Sequence, residues 1–353
     1  MHYPENKELQ EVYERVESCM QSGLPFVIYR KPNDNELFAV FQSTDELVVT
    51  IDFIERGFVF APFDRTNEAV LIQPDEVWKA VFNYKDSNTT NFDSTDESGK
   101  EAHVNLVKKG IKEIERGNLK KVVLSRKIDL PFTKAPVKIF NTLLHKYPNA
   151  FGYLFHHPKI GMWCGATPET LVEINNRELS TMSLAATLPY IKSKEPKWGN
   201  KEIEEQQMVS QYIGDKLAPT MERLEIDEAE SVRAGNLWHL RSEISGTMLQ
   251  NIEIKEVINA LHPTPAVCGI PTEAAKQFIQ QNETYQRTFY TGFLGELNLW
   301  EQGAASLFVN LRCMELQNGK ASIFVGGGIT KASNPESEWI ETQNKSKTML
   351  GTL

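Results

Sequence analysis

The sequence predicts a layered antiparallel fold of the α+β class. Three observations predict it. Strand-like runs come in consecutive pairs across short turns. Helical stretches are interspersed without the strand–helix–strand rhythm of a parallel sheet. No repeat of solenoid or propeller period occurs. At 353 residues the chain can hold one large domain or two ordinary ones. It is read here as a single domain over 1–353: a shorter N-terminal part, 1–99, and a core, 100–353.

Leu9, Val12, Val16 and Met20 recur at helical spacing, so the chain opens with a helix. Phe26 to Tyr29, Leu37 to Phe41 and Val48 to Ile51 are strand-like. Residues 86–99 are rich in Ser, Thr, Asn and Asp and are expected to form a mobile loop. His103 to Glu115 places Val104, Val107, Ile111 and Ile114 on one helical face. A strand follows from Lys121 to Leu130. Phe151–Phe155 with Ile160–Cys164 reads as one hairpin. Leu171–Ile174 with Leu179–Met182, turned at Asn175-Asn176, reads as another. A helix is expected over Lys201 to Leu217. Leu307–Leu316 with Ser322–Val325 forms a third hairpin around Asn318-Gly319, a strong turn signal. Pro335 after Asn334 opens the last helix.

The formal net charge of -9 argues against a nucleic-acid or anionic-membrane partner. An anionic ligand would have to be held by local cations and backbone N–H groups. The first residues are neither basic nor apolar, and no apolar run approaches the length of a membrane span, so a cytoplasmic setting is expected. Cys19, Cys164, Cys268 and Cys313 are far apart and form no metal-type pair, so buried reduced thiols are expected.

Several constellations could carry chemistry. In the last helix Glu338, Glu341 and Lys345 fall at spacings of three and four, on one face. Alone, that is a solvated salt-bridged face. The preceding Gly326-Gly327-Gly328 changes its meaning, because a backbone without Cβ atoms lets something approach closely. In the helix from Lys201, Glu205 shares the apolar stripe of Val209, Ile213 and Leu217, a costly place for a carboxylate unless paired or metal-bound. Two helices each offering such a Glu suit Mg²⁺, which takes a few carboxylates plus substrate oxygens and waters. Lys121 begins a strand on the face of Val123 and Ser125. Glu169 ends a small-residue turn after an apolar strand. Arg312 alternates with Phe308, Asn310 and Met314 and is expected on a buried strand face with an acceptor to hold. His239 and His262 are lone histidines beside turn-rich segments.

In order along the chain, KVVLSR, GATPE, SLAAT, LWHL with EISG, LHPTPAVCGIP, RTFYTGFLGE, LRCMEL and VGGGITKASNPESEWIETQNKS resemble the chorismate-utilising enzymes over roughly 100–353. Residues 1–99 match only loosely. The resemblance implies two large packed antiparallel sheets surrounded by helices, a chorismate substrate and Mg²⁺. Members that add water at ring carbon 2, the isochorismate synthases, resemble the chain most, because they carry a Lys where Lys121 stands. Ammonia-using anthranilate synthases typically do not. Aminodeoxychorismate synthases often place a nucleophilic Lys at the position of Ala185. No LLES-type feedback motif is present.

Carried over residue by residue, the resemblance makes Lys121 the general base that activates water and Glu169 the general acid for the departing C4 hydroxyl. Glu205 and Glu341 hold Mg²⁺, with Glu338 one layer further out. Arg312, with backbone near Ala266 and Gly326, grips the enolpyruvyl carboxylate. Lys345 pairs with a substrate carboxylate, and Ala186 and Thr187 line the ring. A monomer without a glutaminase subunit is implied. Three positions depart from the pattern: Ala186 replaces a Gly, Tyr190 stands where many relatives carry Arg, and Gln206 replaces a His. The alternatives are a salicylate synthase, which goes on to eliminate pyruvate, and a chorismate-binding protein with reduced catalysis.

Overall fold

A computed structural model describes residues 4–84, 97–191, 194–234 and 237–353. Two ten-stranded sheets pack face to face with helices on their outer sides. In spatial order the first sheet runs Glu5–Asn6, Glu76–Val81, Glu36–Phe41, Phe26–Arg30, Phe151–His157, Gly161–Thr167, Cys313–Gln317, Lys320–Ile329, Lys121–Pro131, Gly269–Ile270. The second runs Met221–Ile226, Leu237–Met248, Glu178–Pro189, Thr170–Asn175, Ala305–Val309, Phe293–Leu297, Gly57–Ala61, Ala69–Ile72, Val48–Thr50, with Glu230–Ala234 pairing beside Leu237–Met248. The expected antiparallel pairing holds except at one edge, where Glu5–Asn6 joins Glu76–Val81 in parallel. Strands from the first eighty residues enter both sheets.

An aromatic layer fills the space between the sheets. Phe151 stacks on Phe308 at 4.1 Å between ring centroids, and Phe60 lies 4.5 Å from Phe155. Alternation sends Val27 and Tyr29 into this layer, and Phe26 and Ile28 outward beneath the helices Leu9–Ser22 and Pro136–Lys146. The strand is therefore buried on both faces. Such strands read as continuous apolar runs rather than as alternating ones. The helices Asn200–Leu217 and Ile254–Leu261 cover the second sheet in the same way.

Two expectations about the hairpins change. The turn of the second hairpin is centred on Asn176-Arg177, both at positive φ (50° and 67°), one residue later than expected. The run 307–316 is not one strand. Ala305–Val309 belongs to the second sheet and Cys313–Gln317 to the first, and the chain crosses between sheets at 310–312. Arg312, with φ 48°, is thus a crossover residue, not one on a buried strand face. The strand Lys320–Ile329 runs on through the triple glycine, pairing Gly326, Gly327 and Gly328 with Ser125, Leu124 and Val123.

Most of the expected mobile loop 86–99 lies outside the described residues; its end leads into the helix Lys100–Glu115. All four cysteines are free and buried. Among the described residues, no helix is long and apolar enough to cross a membrane.

Candidate active site

The site forms where the chain changes sheets twice, side by side. Thr167 ends a strand of the first sheet and Thr170 begins one of the second, leaving Pro168-Glu169 in the gap. The crossover at 310–312 runs back the other way. Backbone bonds tie the two together: Val309 N donates to Glu169 O at 3.0 Å, and Ala166 N donates to Arg312 O at 3.0 Å. Residues in such gaps leave the ladders and present their side chains to the space at the sheet ends. That is how Glu169 and Arg312 come to face one cavity.

The cavity has a volume of about 100 Å³. Ten of the eleven residues to which the resemblance assigns a role line it: Lys121, Glu169, Ala186, Thr187, Glu205, Ala266, Arg312, Gly326, Glu341 and Lys345. The eleventh, Glu338, lies just behind, 2% exposed. A Cβ built on Gly327 would come 3.2 Å from Glu338 Oε2 and 3.3 Å from Glu341 Oε1, and one on Gly328 would come 2.5 Å from Glu205 Oε1. The missing side chains are thus the room into which three carboxylates converge. Arg126 aims the last helix: its guanidinium lies 4.1 Å over the Trp339 ring, and its Nε donates to Thr342 Oγ1 at 2.9 Å.

Each carboxylate carries its own lysine. Lys121 Nζ is 2.9 Å from Glu205 Oε1, Lys201 Nζ is 3.0 Å from Glu338 Oε1, and Lys345 Nζ is 2.6 Å from Glu341 Oε1. Lys345 also donates to Gly326 O at 3.0 Å. Lys201 was missed from sequence, although it precedes Glu205 by one helical turn on the same face. Burial raises the Glu338 carboxyl above its ordinary range and repulsion from Glu341 adds to this, against the pull of Lys201. Burial opposes the Lys201 ammonium, but Glu338, Glu205 and Glu341 outweigh it and raise its pKa.

Glu169 is buried, at 3% exposure. Burial pushes it up to about 8, against the opposing fields of Lys121, Lys345 and Arg312. It is therefore protonated at neutral pH. Burial lowers the Arg312 guanidinium below its ordinary value. Burial also holds His239 down at about 3, helped by Arg312 and Lys345. Its Nδ1 lies 2.9 Å from Ala186 O, so the neutral ring donates there.

The departures from the expected pattern acquire physical reasons. Ala186 has φ 59°, the left-handed region that favours glycine, at a bulge between Ala185 and Leu188. Gln206 is turned away from the cavity. Its Nε2 donates to Ser183 O at 3.0 Å and Ser183 Oγ at 2.9 Å, pinning the helix to its strand. Tyr190 carries the Arg233 guanidinium 3.7 Å over its ring. His262 Nε2 donates to Pro62 O at 3.0 Å, away from this cavity.

Among the described residues no cluster of three or more His, Cys, Asp or Glu side chains forms a ready metal cage. The donor set nonetheless fits a hard divalent cation that keeps some of its water. Glu338 Oε2 is buried without a hydrogen-bond partner, and Glu205 and Glu341 meet it above the glycine cradle.

The family model described as "Chorismate binding enzyme" matches residues 60–353. The chain belongs to this family. It is 30% identical over 325 residues to isochorismate synthase DhbC of Bacillus subtilis (strain 168), covering 83% of this chain and 79% of that one. It is 31% identical to isochorismate synthase EntC of Escherichia coli (strain K12), over 66% of this chain and 62% of EntC. Among solved structures, DhbC of Bacillus anthracis superposes with a TM-score of 0.81 at 26% identity, covering 96% of this chain and 98% of that one. MenF of Escherichia coli, at TM-score 0.78 and 21% identity over 93% and 88%, supports the fold.

Proposed function

We propose that the chain is an isochorismate synthase, which adds water at C2 of chorismate and expels the C4 hydroxyl. The observation that carries this reading is that a buried lysine, Lys121, and a buried carboxyl, Glu169, line one cavity together with Arg312 and Lys345. The similarity to DhbC over four fifths of both chains supports it.

The residues divide the work as follows. Arg312 and Lys345 share the negative charge of the substrate that the metal would not balance, a dianion that a chain of net charge -9 could not attract by its overall field. Arg312 presents a planar fork suited to a carboxylate. Lys121 removes a proton from water as its oxygen bonds to C2. The ring double bonds shift, and the C4–oxygen bond breaks. Glu169 gives its proton to that oxygen, so that water leaves rather than hydroxide. Each such group typically contributes ~10²–10⁴-fold. Lys121 can accept a proton only when its amine is free of the Glu205 ion pair. Mg²⁺, held by Glu205 and Glu341 with Glu338 behind them, would supply a counter-charge for the ring carboxylate. Because the nucleophile is water, no glutaminase subunit is needed, and we read the chain as a single-domain cytoplasmic monomer.

The test is product identification. The protein, chorismate and Mg²⁺ are incubated and the products separated by chromatography. Isochorismate without released pyruvate supports the reading. Pyruvate with salicylate would make the chain a salicylate synthase, and chorismate bound without conversion would make it a binding protein.

A further inference from the structure

The strand that carries Lys121 is short of a neighbour along one edge. On one side Lys121–Pro131 pairs with Lys320–Ile329 from Val122 to Pro131. On the other, the two-residue strand Gly269–Ile270 covers only Lys121 and Val122. Beyond it, Val123 N donates to Cys268 O at 2.8 Å. Val123 O and Ser125 N face the same way and meet no strand. A buried ion pair takes them instead. Arg287 Nη2 donates to Val123 O at 2.8 Å, and Ser125 N donates to Glu283 Oε1 at 2.8 Å. Arg287 and Glu283 thus stand in for the missing stretch of sheet edge.

The pair also reaches further. Nε and Nη2 of Arg287 donate to the two oxygens of Glu283 at 2.8 and 2.6 Å. Nη1 donates to Val267 O at 2.9 Å and to Thr291 Oγ1 at 3.3 Å. Every N–H of the guanidinium therefore has an acceptor. The side chains of Arg287 and Glu283 are 2% and 1% exposed. Neither lines the catalytic cavity, yet Val123, Val267 and Thr291, which Arg287 holds, all do. These three come from separate segments. Val123 lies two residues beyond Lys121, Val267 follows Ala266, and Thr291 follows Tyr290.

We propose that Arg287 and Glu283 are a positioning pair for the reaction, setting the Lys121 strand and the Ala266–Val267 segment at the spacing that the substrate ring requires. The inference rests on the isochorismate synthase reading, which supplies the reaction. Stability alone does not account for such a pair, since taking two charges out of water offsets their attraction. What the planar fork adds is geometry: it fixes several backbone segments at once. A reacting group displaced by about 1 Å can lose on the order of 10²-fold in rate. Lysine carries the same charge, but it has fewer donors and no fork. It can keep the ion pair without keeping the grips on Val123, Val267 and Thr291.

The test compares Arg287→Lys with Tyr29→Phe in the full chain with Mg²⁺ and chorismate. Tyr29→Phe removes a buried bond to Glu296, at 2.7 Å, between residues that do not line the cavity. It controls for lost stability as such, and should lower the melting temperature with kcat unchanged. Arg287→Lys, assayed where circular dichroism shows it folded, should lose about 10²-fold in kcat and bind chorismate several-fold more weakly. Its Mg²⁺ affinity, read by calorimetry, should stay close to the wild-type value, because the pair touches neither carboxylate-bearing helix. An Arg287→Lys variant that loses stability but keeps its kcat, as the control does, overturns the proposal. So does an equal loss of Mg²⁺ affinity, which marks a general loosening. Should Arg287→Lys not fold, Ser125→Ala carries the test. It deletes the bond from Ser125 Oγ to Glu283 Oε1 at 2.7 Å and should lower kcat about threefold to tenfold, the worth of one hydrogen bond. An unchanged kcat there has the same overturning force. Should the wild type give no isochorismate, the enzymatic reading fails by itself. The pair is then judged by chorismate affinity in the same variants, and an affinity that Arg287→Lys and Ser125→Ala both leave intact removes it.

Discussion

Lys121 Nζ and Glu205 Oε1 meet at 2.9 Å, joining the first residue of a strand to the second turn of a helix on a different sheet. The pair links the proposed base to a proposed metal ligand, so whatever engages Glu205 also decides whether the Lys121 amine is free. Lys121 is 1% exposed and Glu205 8%. Removing one partner therefore leaves a poorly solvated charge behind.

Lys121→Ala should lower kcat by at least about 10³-fold while leaving chorismate affinity within a few-fold. Turnover is read by isochorismate formation and affinity by calorimetric titration. Near-wild-type turnover in this variant would remove the base assignment. Equal losses of turnover and affinity would make the lysine a binding group instead.

The carboxyl of Glu169 makes a prediction about pH. Its ordinary value is near 4.5, and burial holds it at about 8 in the folded protein. A general acid must carry its proton, so kcat/KM should fall about tenfold per pH unit above about 8. The stability linkage has the sign of a raised carboxyl. Its contribution is fully present below pH 4.5, where folded and unfolded chains are both protonated. It is lost as pH rises towards 8, because only the unfolded chain ionises. Between pH 4.5 and 7 this loss is ~3 kcal/mol. Glu169→Gln should abolish turnover and remove that slope, which denaturant unfolding at several pH values would read. An unchanged slope would mean that Glu169 titrates normally.

Much of this site was legible in the sequence because its motifs are local. Glu338, Glu341 and Lys345 share a helical face by spacing alone, and Gly326-Gly327-Gly328 signals close approach wherever it lies. What stayed hidden depends on contacts far apart in the chain. An apolar run through Leu311 does not reveal that the chain leaves one sheet at Val309 and joins the other at Cys313, so Arg312 was placed on a strand face. Lys201 reads as an ordinary first-turn lysine until Glu338, from a helix more than a hundred residues later, is brought beside it. The strand pairs of the N-terminal part were visible singly. Their distribution over two sheets was not, since both faces are buried and alternation is lost.

The glycine cradle predicts how metal affinity divides among the carboxylates. Glu341→Ala should weaken Mg²⁺ binding at least about 100-fold, and Glu338→Gln about 10-fold, as expected for a direct contact and for a supporting one. Calorimetric Mg²⁺ titration, with and without chorismate, measures both independently of turnover. An unchanged titration in Glu341→Ala would move the metal away from this helix.

Ala186 offers a test in the opposite direction, a gain. Its φ of 59° places a Cβ where the backbone favours none, while its carbonyl is fixed by the bond from His239 Nδ1 at 2.9 Å. Left-handed backbone costs a residue with a Cβ roughly 1–2 kcal/mol, and glycine gives back part of the relief through its greater freedom in the unfolded chain. Ala186→Gly should therefore stabilise the protein by about 1 kcal/mol or somewhat less, with the His239 contact and turnover retained. Urea unfolding and isochorismate formation, measured side by side, check the two halves. If the variant were less stable, the alanine methyl would be contributing more in packing than the backbone loses in strain. Retained stability with lost turnover would instead assign the methyl a place against the substrate ring.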